Sequence, residues 1–382
     1  MASIRKRVLP SKTIVWQVDY RDVEGKRRHK QFAKRKAADK WSVKARADVA
    51  GGTHVPDAAS ITVGEAGNLW IARCELAKLE RTTLVAYRQH WNLHIKPFVG
   101  GKKLSQFTTA DAEAFYEMLL ENGRSPDMVR RVRIDFGAAL SYAQTKNLVV
   151  KNIIKLTKFK VSKREKRRPP MPTIGEVRKL LASTVADWLA FLYVAIFAGL
   201  RASELRALPW RNVNFAKAMI TVDQRADRWG NIGSPKSNAG TRDIPLPPIA
   251  MKTLKEWKLR CPKGSLDLVF PTTIGTVKSH SNIMNRFFWP LQIKAGVTKT
   301  SQHTSGVHDI KKPVKAKYGL HVLRHFCASI WIEADYSAKK VQTLMGHASI
   351  VQTYDSYGYL FERRERDQQV SVNIQKRVIG ET

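Results

Sequence analysis

Residues 198–205 of the chain have the sequence AGLRASEL. It follows an apolar run from Asp187 to Ala198, which predicts a buried helix. Gly199 is a residue type that is common at the C-terminal end of a helix, and Arg201 follows two positions later. The pattern predicts an arginine held at the end of a buried helix, and strand-like stretches follow at 218–222 and 242–246. On its own such a pattern identifies no activity, so its meaning depends on motifs further along the chain.

Two such motifs lie in the last quarter of the chain. HVLRH at residues 321–325 places His321 and Arg324 three residues apart, so both would face the same side of a helix. LMGHASI at residues 344–350 contains His347, and Tyr357 follows ten residues later. The chain therefore carries two arginines, two histidines and a late tyrosine in a fixed order.

These residue types suit attack on a phosphodiester. The transition state carries negative charge on its non-bridging oxygens, and arginine forks match those oxygens in geometry and charge. A tyrosine nucleophile keeps the energy of the broken bond in a covalent ester, and histidines can carry the protons. The expected chemistry is strand transfer rather than hydrolysis.

The motifs GLRASEL, His321-x-x-Arg324, Gly346-His347 and the downstream Tyr357 resemble the tyrosine recombinase family, specifically phage-type and genomic-island integrases. The resemblance implies a multidomain protein, mainly α with small antiparallel β-sheets (α+β), and a catalytic domain over residues 173–382. It also implies a site-specific DNA recombinase that integrates or excises a mobile element, such as a viral genome.

The resemblance assigns roles to individual residues. Arg201 and Arg324 would clamp the scissile phosphate, and Tyr357 would attack it to give a 3′-phosphotyrosyl enzyme and a free 5′-hydroxyl. The family needs no metal and no nucleotide cofactor, because the phosphotyrosine conserves the bond energy.

Proton transfer and support fall to four other positions. Lys236, within SPKSNAGTR at residues 234–242, matches the lysine of the family's β-hairpin and would protonate the leaving 5′-oxygen. His321 would be the general acid/base partner near the nucleophile, His347 would hydrogen-bond the phosphate, and Glu204 would support the arginine without reacting.

The choice of nucleophile rests on spacing. Tyr354, Tyr357 and Tyr359 are all candidates by composition. Distance from His347 favours Tyr357, as does the following Gly-Tyr-Leu, which is similar to the family's YGHL. Tyr354 occupies a place where the family usually has an apolar residue, which favours packing.

The histidine-rich motif has a rival interpretation. His321 and His325 lie four residues apart, a spacing that suits a metal pair, but no glutamate accompanies them, and the cationic Arg324 disfavours a metal. Val322 replaces the Asp often found in the family's motif and leaves both reacting groups present.

Composition indicates the partner. The 382 residues include 67 Lys and Arg against 32 Asp and Glu, a net charge of +35. So large an imbalance favours nucleic acid as the partner. Three widely spaced cysteines argue against a disulfide framework, and no apolar run is long enough for a membrane span, so we expect a cytoplasmic, nucleoid-associated protein.

The patterning divides the chain into four parts. Alternation of Ile14, Trp16, Val18 and Tyr20 predicts a strand near the start, and the sequences TVGE at 62–65 and TIGE at 173–176 predict capping boxes where helices begin. Residues 1–55 resemble a small basic β+α arm-type DNA-binding domain, residues 62–154 a helical core-type DNA-binding domain, and residues 155–172 form a basic linker before the catalytic domain. The resemblance implies a homotetramer on double-stranded DNA with core-type and arm-type sites, together with accessory DNA-bending proteins.

Two other functions are compatible with a basic chain of this kind. One is a non-catalytic DNA-binding relic or regulator of the same fold, against which the occupied reactive positions argue. The other is a topoisomerase of related fold, against which the additional basic N-terminal part argues.

Overall fold

The computed structural model describes residues 3–51, 56–57, 59–158, 170–235, 237–299, 314–361, 374–375 and 377. The chain forms two compact units, Met1–Lys166 and Arg167–Thr382. The first unit holds a small sheet with one helix and a set of further helices. The second holds the motifs singled out in the sequence.

The first unit begins with an antiparallel sheet in the order β1 (Ser3–Val8), β2 (Ile14–Arg21), β3 (Arg27–Phe32), followed by α1 (Arg35–Ala50). The predicted strand is present as β2 with Val18 and Tyr20 buried, but the alternation is incomplete, because Val15 and Gln17 on the opposite face are buried as well. The pattern did not predict β1, because its sequence SIRKRV is basic and mostly exposed, as is common in edge strands.

Helices build the rest of the first unit: α2 (Val63–Leu76), α3 (Arg81–His90), α4 (Lys96–Val99), α5 (Thr109–Glu121), α6 (Pro126–Thr145) and α7 (Ile153–Leu156). The capping box predicted at the start of α2 is confirmed, because Thr62 and Glu65 each bond the other's backbone. Trp91 and Phe136 pack edge to face in the core. The helical turn α7 takes up the first residues of the predicted linker, and residues 159–169 lie outside the described part.

The second unit is mainly helical. It comprises α8 (Ile174–Ser183), α9 (Ala186–Phe197), α10 (Ala202–Ala207), β4 (Val213–Asn214), β5 (Met219–Val222), β6 (Arg225–Ala226), β7 (Ile232–Gly233), β8 (Arg242–Pro245), α11 (Pro248–Arg260), α12 (His280–Ile283), α13 (Trp289–Lys294), α14 (His321–Glu333), α15 (Ala338–Met345) and α16 (Ile350–Phe361). The mainly α class with small antiparallel sheets is confirmed.

The sheets of the second unit are small. Strands β4, β5 and β8 form one antiparallel sheet in that order, with Ile220 opposite Ile244, and β6 pairs with β7 in a hairpin. The capping box predicted at Thr173 and Glu176 is confirmed at the start of α8.

The core of this unit forms around α9. Its residues Phe191, Leu192 and Ile196 are buried together with Ile220, Ile244 and residues of α14. Burial of this apolar surface contributes the main stabilising free energy and fixes α14 against α9. The turn that follows α9, which carries Arg201, and the first turn of α14, which carries Arg324, are thereby brought together. None of the helices in the described ranges combines the length and the apolar composition that crossing a membrane requires.

Candidate active site

Arg201 lies at the start of α10 and is held at both ends of its side chain. Its backbone N–H donates to Glu204 Oε2 at 2.9 Å, and its Nη1 donates to Glu204 Oε1 at 2.8 Å. Its Nη2 donates to the carbonyl oxygen of Gly346 at 2.9 Å. About a third of the side chain, 34%, remains exposed. Arg201 is therefore oriented by the protein yet open to a ligand.

Glu204 connects Arg201 to a second arginine that the sequence interpretation missed. Arg242, at the start of β8, donates through Nη2 to Glu204 Oε2 at 2.8 Å and through Nη1 to Oε1 at 3.2 Å. Burial opposes ionisation of Glu204, but the Arg242 hydrogen bond and the charges of Arg242, Arg324 and Arg201 outweigh it and lower its pKa to about 2. Glu204 is an anion at neutral pH and supports Arg201, as predicted from the resemblance.

Arg324 lies on the first turn of α14 and is 3% exposed. Its Nη1 donates to the Gly199 carbonyl oxygen at 2.7 Å, and its Nη2 donates to the Met345 carbonyl oxygen. Burial and the neighbouring Arg201 lower the pKa of Arg324 to about 9, so the guanidinium stays charged at neutral pH. The two sequence-predicted arginines thus belong to one cationic pocket.

Two glycines supply carbonyl groups to these arginines. Gly199 and Gly346 both have positive φ, +57° and +62°, a backbone conformation that favours glycine. A Cβ on Gly346 would come within 2.8 Å of Arg242 Nη1 and 2.9 Å of the Ala239 carbonyl oxygen. The glycine in LMGHASI therefore presents its carbonyl oxygen to Arg201 of GLRASEL, and the glycine in GLRASEL presents its carbonyl oxygen to Arg324 of HVLRH.

His347 follows directly after Gly346 and is buried. Its Nδ1 lies 2.9 Å from Thr353 Oγ1, and its ring is nearly parallel to that of Tyr357, with centroids 6.4 Å apart. Burial, with the charges of Arg324 and Arg201, lowers the pKa of His347 to about 4. The imidazole is neutral at physiological pH and can exchange hydrogen bonds without adding charge.

Tyr357 lies on α16 and is 1% exposed, packed with Ala328, Val341 and Met345. Burial raises the pKa of its hydroxyl to about 12, while Arg324 and Arg201 act in the opposite direction. Of the three candidate tyrosines, Tyr354 is 52% exposed. Tyr359 directs its hydroxyl toward Met171 Sδ. Spacing along the sequence favours Tyr357, and in the structure Tyr357 is also the candidate that lies within the electrostatic influence of Arg324 and Arg201.

The histidine that contacts Tyr357 is His325. Its Nδ1 lies 2.8 Å from Tyr357 Oη, whereas His321, one turn earlier on α14, is exposed and meets His325 edge to face with centroids 4.8 Å apart. Burial, then His321 and Arg324, lowers the pKa of His325 to about 4. Partial desolvation of the ring by its neighbours, together with Arg324 and Arg201, also lowers the pKa of His321. The sequence alone suggests a role for His325 only as a partner of His321 in a metal pair, which the cationic Arg324 disfavours. The signal that could have found His325 was its position directly after Arg324.

Lys236, the predicted acid, lies outside the described residues. Its loop is followed by Gly240, whose carbonyl oxygen accepts a bond from Arg242 Nη1 at 2.9 Å, and Arg242 Nε donates to the Leu344 carbonyl oxygen at 2.7 Å. Arg242 therefore ties the end of this loop to α15. Across the described ranges, His, Cys, Asp and Glu side chains form no group of three or more able to hold a metal ion.

Comparisons with known proteins identify related sequences and folds. The model of the phage integrase family matches residues 175–363, and the phage integrase N-terminal SAM-like domain matches residues 62–120. A XerC-like tyrosine recombinase from Caldanaerobacter subterraneus is 23% identical over 83% of this chain and 84% of its own length. The ICEBs1 integrase of Bacillus subtilis is 21% identical over 72% of this chain and 73% of its own length.

Two solved structures share the fold. The Tn1549 transposon integrase in complex with transposon right end DNA matches 84% of this chain and all of its own with a TM-score of 0.66 at 18% identity. A lambda integrase tetramer bound to a Holliday junction matches 94% of this chain and 95% of its own with a TM-score of 0.59 at 19% identity. Because the two family models match residues 62–120 and 175–363, the chain belongs to the phage integrase family of tyrosine recombinases.

Proposed function

We propose that this protein integrates and excises a mobile DNA element by cutting and rejoining DNA strands through a covalent bond to Tyr357. The observation that carries the proposal is the position of the Tyr357 hydroxyl, which lies 2.8 Å from His325 Nδ1 and close enough to Arg324 and Arg201 for their charges to oppose the rise in its pKa. A hydroxyl held among fixed cations is suited to attack an anionic phosphodiester.

The chemical step conserves one phosphodiester. The Tyr357 oxygen forms a bond to phosphorus, the bond from phosphorus to the 5′-oxygen breaks, and the tyrosyl proton is released to a base. Lys236 is proposed to give a proton to the 5′-oxygen. Rejoining runs the same step in reverse with a 5′-hydroxyl as nucleophile, so the cycle requires no external energy source.

The arginines are proposed to stabilise the charge that develops on the phosphate. Arg201 is bonded to Glu204 and Gly346, and Arg324 to Gly199 and Met345, before any DNA arrives. Pre-oriented donors cost little reorganisation at the moment of reaction, which is why such groups lower barriers effectively. His347 would add a neutral hydrogen bond to the phosphate, and His321, exposed at the start of α14, would bond the phosphate or carry protons at the pocket entrance.

DNA binding by the rest of the chain follows from its charge. Residues 1–55 are proposed to bind arm-type sites and residues 62–154 core-type sites, joined to the catalytic residues 173–382 by the basic linker 155–172. The exposed basic positions of β3 and α6 support phosphate contacts. By analogy with the lambda integrase tetramer on a Holliday junction, the working unit is a homotetramer on two duplexes, assisted by DNA-bending proteins.

A nicked suicide duplex tests the proposal. Loss of the short fragment beyond the nick prevents rejoining, so the covalent protein–DNA adduct accumulates and is counted on a denaturing gel. We expect an adduct with the unaltered protein and with Tyr354→Phe, and none with Tyr357→Phe, while duplex binding by all three stays equal. Binding without any adduct would instead favour the non-catalytic regulator.

A further inference from the structure

We propose that His325 is the catalytic base that takes the proton from the Tyr357 hydroxyl as this oxygen attacks DNA. The inference rests on the proposed function and gives a specific role to a residue that the HxxR pattern leaves without one. It assigns to His325 the task near the nucleophile that the resemblance gave to His321.

The contact between the two side chains carries the proposal. The distance of 2.8 Å between His325 Nδ1 and Tyr357 Oη is a full hydrogen bond to the reacting atom itself. His325 belongs to α14 and Tyr357 to α16, so packing between two helices fixes the pair. Nothing has to move between them for the proton to pass.

The groups around the hydrogen bond keep both of its partners neutral. His325 faces His321 and Arg324 on its own helix and Tyr357 and His347 on the segments packed against it. Burial, His321 and Arg324 keep the imidazole neutral, with its pKa lowered to about 4, while burial raises the pKa of Tyr357 to about 12. With both groups neutral, the phenol donates to Nδ1 when the ring carries its own proton on Nε2, and the proposed step uses this tautomer.

His321 is less well placed for this task. Its ring is exposed and meets the His325 ring edge to face, with centroids 4.8 Å apart. His321, at the exposed start of α14, is positioned to contact the substrate phosphate. His325 instead contacts the nucleophile Tyr357. The two histidines of the motif would thus divide the phosphate contact and the proton transfer between them.

The step balances in atoms and charge. An electron pair of Tyr357 Oη forms the bond to phosphorus, the O–H bond breaks, and its proton passes to Nδ1 of His325. The phosphorus bond to the 5′-oxygen breaks with its electron pair on oxygen, which is protonated separately. As the phenol oxygen bonds to phosphorus its proton becomes more acidic, and the nearby phosphate charge stabilises the imidazolium that forms. During rejoining, the same proton returns to Tyr357.

The test compares His325→Asn with His321→Asn in single-turnover cleavage of a suicide duplex. The asparagine carbonyl oxygen can replace Nδ1 as a hydrogen-bond acceptor, but it cannot take a proton. We therefore expect His325→Asn to slow adduct formation by about 100-fold or more. Duplex binding and the unfolding temperature should stay unchanged. His325→Gln serves as a second variant if the asparagine variant does not fold.

A substrate with sulfur in place of the bridging 5′-oxygen separates base from acid. A thiolate leaves without protonation, so this substrate should restore cleavage by Lys236→Ala, which lacks the proposed acid. It should leave His325→Asn as slow as before, because the tyrosine still has to lose its proton. His321→Asn should cleave both substrates faster than His325→Asn.

Two results would overturn the assignment. One is cleavage by His325→Asn within about threefold of the unaltered protein, which would make the contact a packing interaction. The other is recovery of His325→Asn on the sulfur substrate, which would place His325 on the leaving-group side. If the unaltered protein gave no adduct at all, the proposed function itself would fail, so the two failures are distinguishable.

Discussion

Arg201 Nη2 and the carbonyl oxygen of Gly346 lie 2.9 Å apart, although 145 residues separate them in sequence. The same short segment gives a second carbonyl, that of Met345, to Arg324. The end of α15 therefore orients both arginines of the pocket. This explains why a glycine precedes His347, since the chain must turn through a left-handed conformation while passing close to Arg242.

Gly346→Ala should therefore disable cleavage. The added Cβ would lie 2.8 Å from Arg242 Nη1 in a conformation that already disfavours alanine, so Arg242, Arg201 or the segment itself must shift. We expect adduct formation to fall at least tenfold, as measured by single-turnover cleavage, with an unfolding free energy lower by roughly 2 kcal/mol.

Gly296→Ala is the matched control. Gly296 also has positive φ, +69°, but a Cβ there would meet nothing within 4 Å. This variant should lose only the conformational term, about 1 kcal/mol, and keep its cleavage rate. Equal cleavage by both variants would refute the argument that Gly346 is needed for close approach.

Glu204→Gln should uncouple the arginine network. Loss of the charge leaves Arg201 and the buried Arg242 without their counterion, and breaking a buried ion pair in this way costs about 3–5 kcal/mol. Chemical denaturation measures the loss, and cleavage should fall with it. Glu256→Gln, which removes an exposed partner of Lys252 at 4.0 Å, should change stability by less than about 0.5 kcal/mol. A Glu204→Gln protein as stable as this control would contradict the structural role.

Acid should destabilise the protein through His347. Its folded-state pKa of about 4 lies below the ordinary value of 6.5, so the folded state prefers the neutral ring. The corresponding stability is fully present above pH 6.5 and is lost as the pH falls toward 4, on the order of 3 kcal/mol. Unfolding free energies measured from pH 7 to 4 should fall less steeply for His347→Asn. Parallel curves for the two proteins would show that His347 titrates normally.

DNA affinity should depend steeply on salt. The net charge of +35 implies many phosphate contacts, and six to ten contacts reduce affinity by about 10³- to 10⁵-fold between 50 and 200 mM salt. Fluorescence anisotropy with a labelled duplex measures the slope. A flat dependence would contradict binding through the phosphate backbone.

Several helices of both units could be predicted because the sequence patterns that specify them are local. The helix predicted from Asp187 to Ala198 is present as Ala186–Phe197, and the capping boxes at Thr62 and Thr173 form as predicted. Capping depends on residues three apart, and burial of a helix depends on its own apolar content. The order of the motifs that contain Arg201, Arg324 and Tyr357 then indicated the protein family.

The partners of these residues could not be predicted in the same way. The contact of Arg242 with Glu204 and that of His325 with Tyr357 join segments 38 and 32 residues apart. No periodicity links such positions, since their distance is set by how β8 and α14 pack against their neighbours. Strand β1 was missed for a different reason, because an exposed basic edge strand has no apolar alternation.

The most direct measurement identifies the amino acid and the DNA end in the trapped adduct. The adduct formed on an end-labelled suicide duplex is digested with trypsin, and mass spectrometry locates the modified residue. We expect a 3′-phosphate ester on Tyr357 and a free 5′-hydroxyl on the released fragment. A 5′-linked adduct, or one on Tyr354, Tyr359 or any other residue, would contradict this expectation.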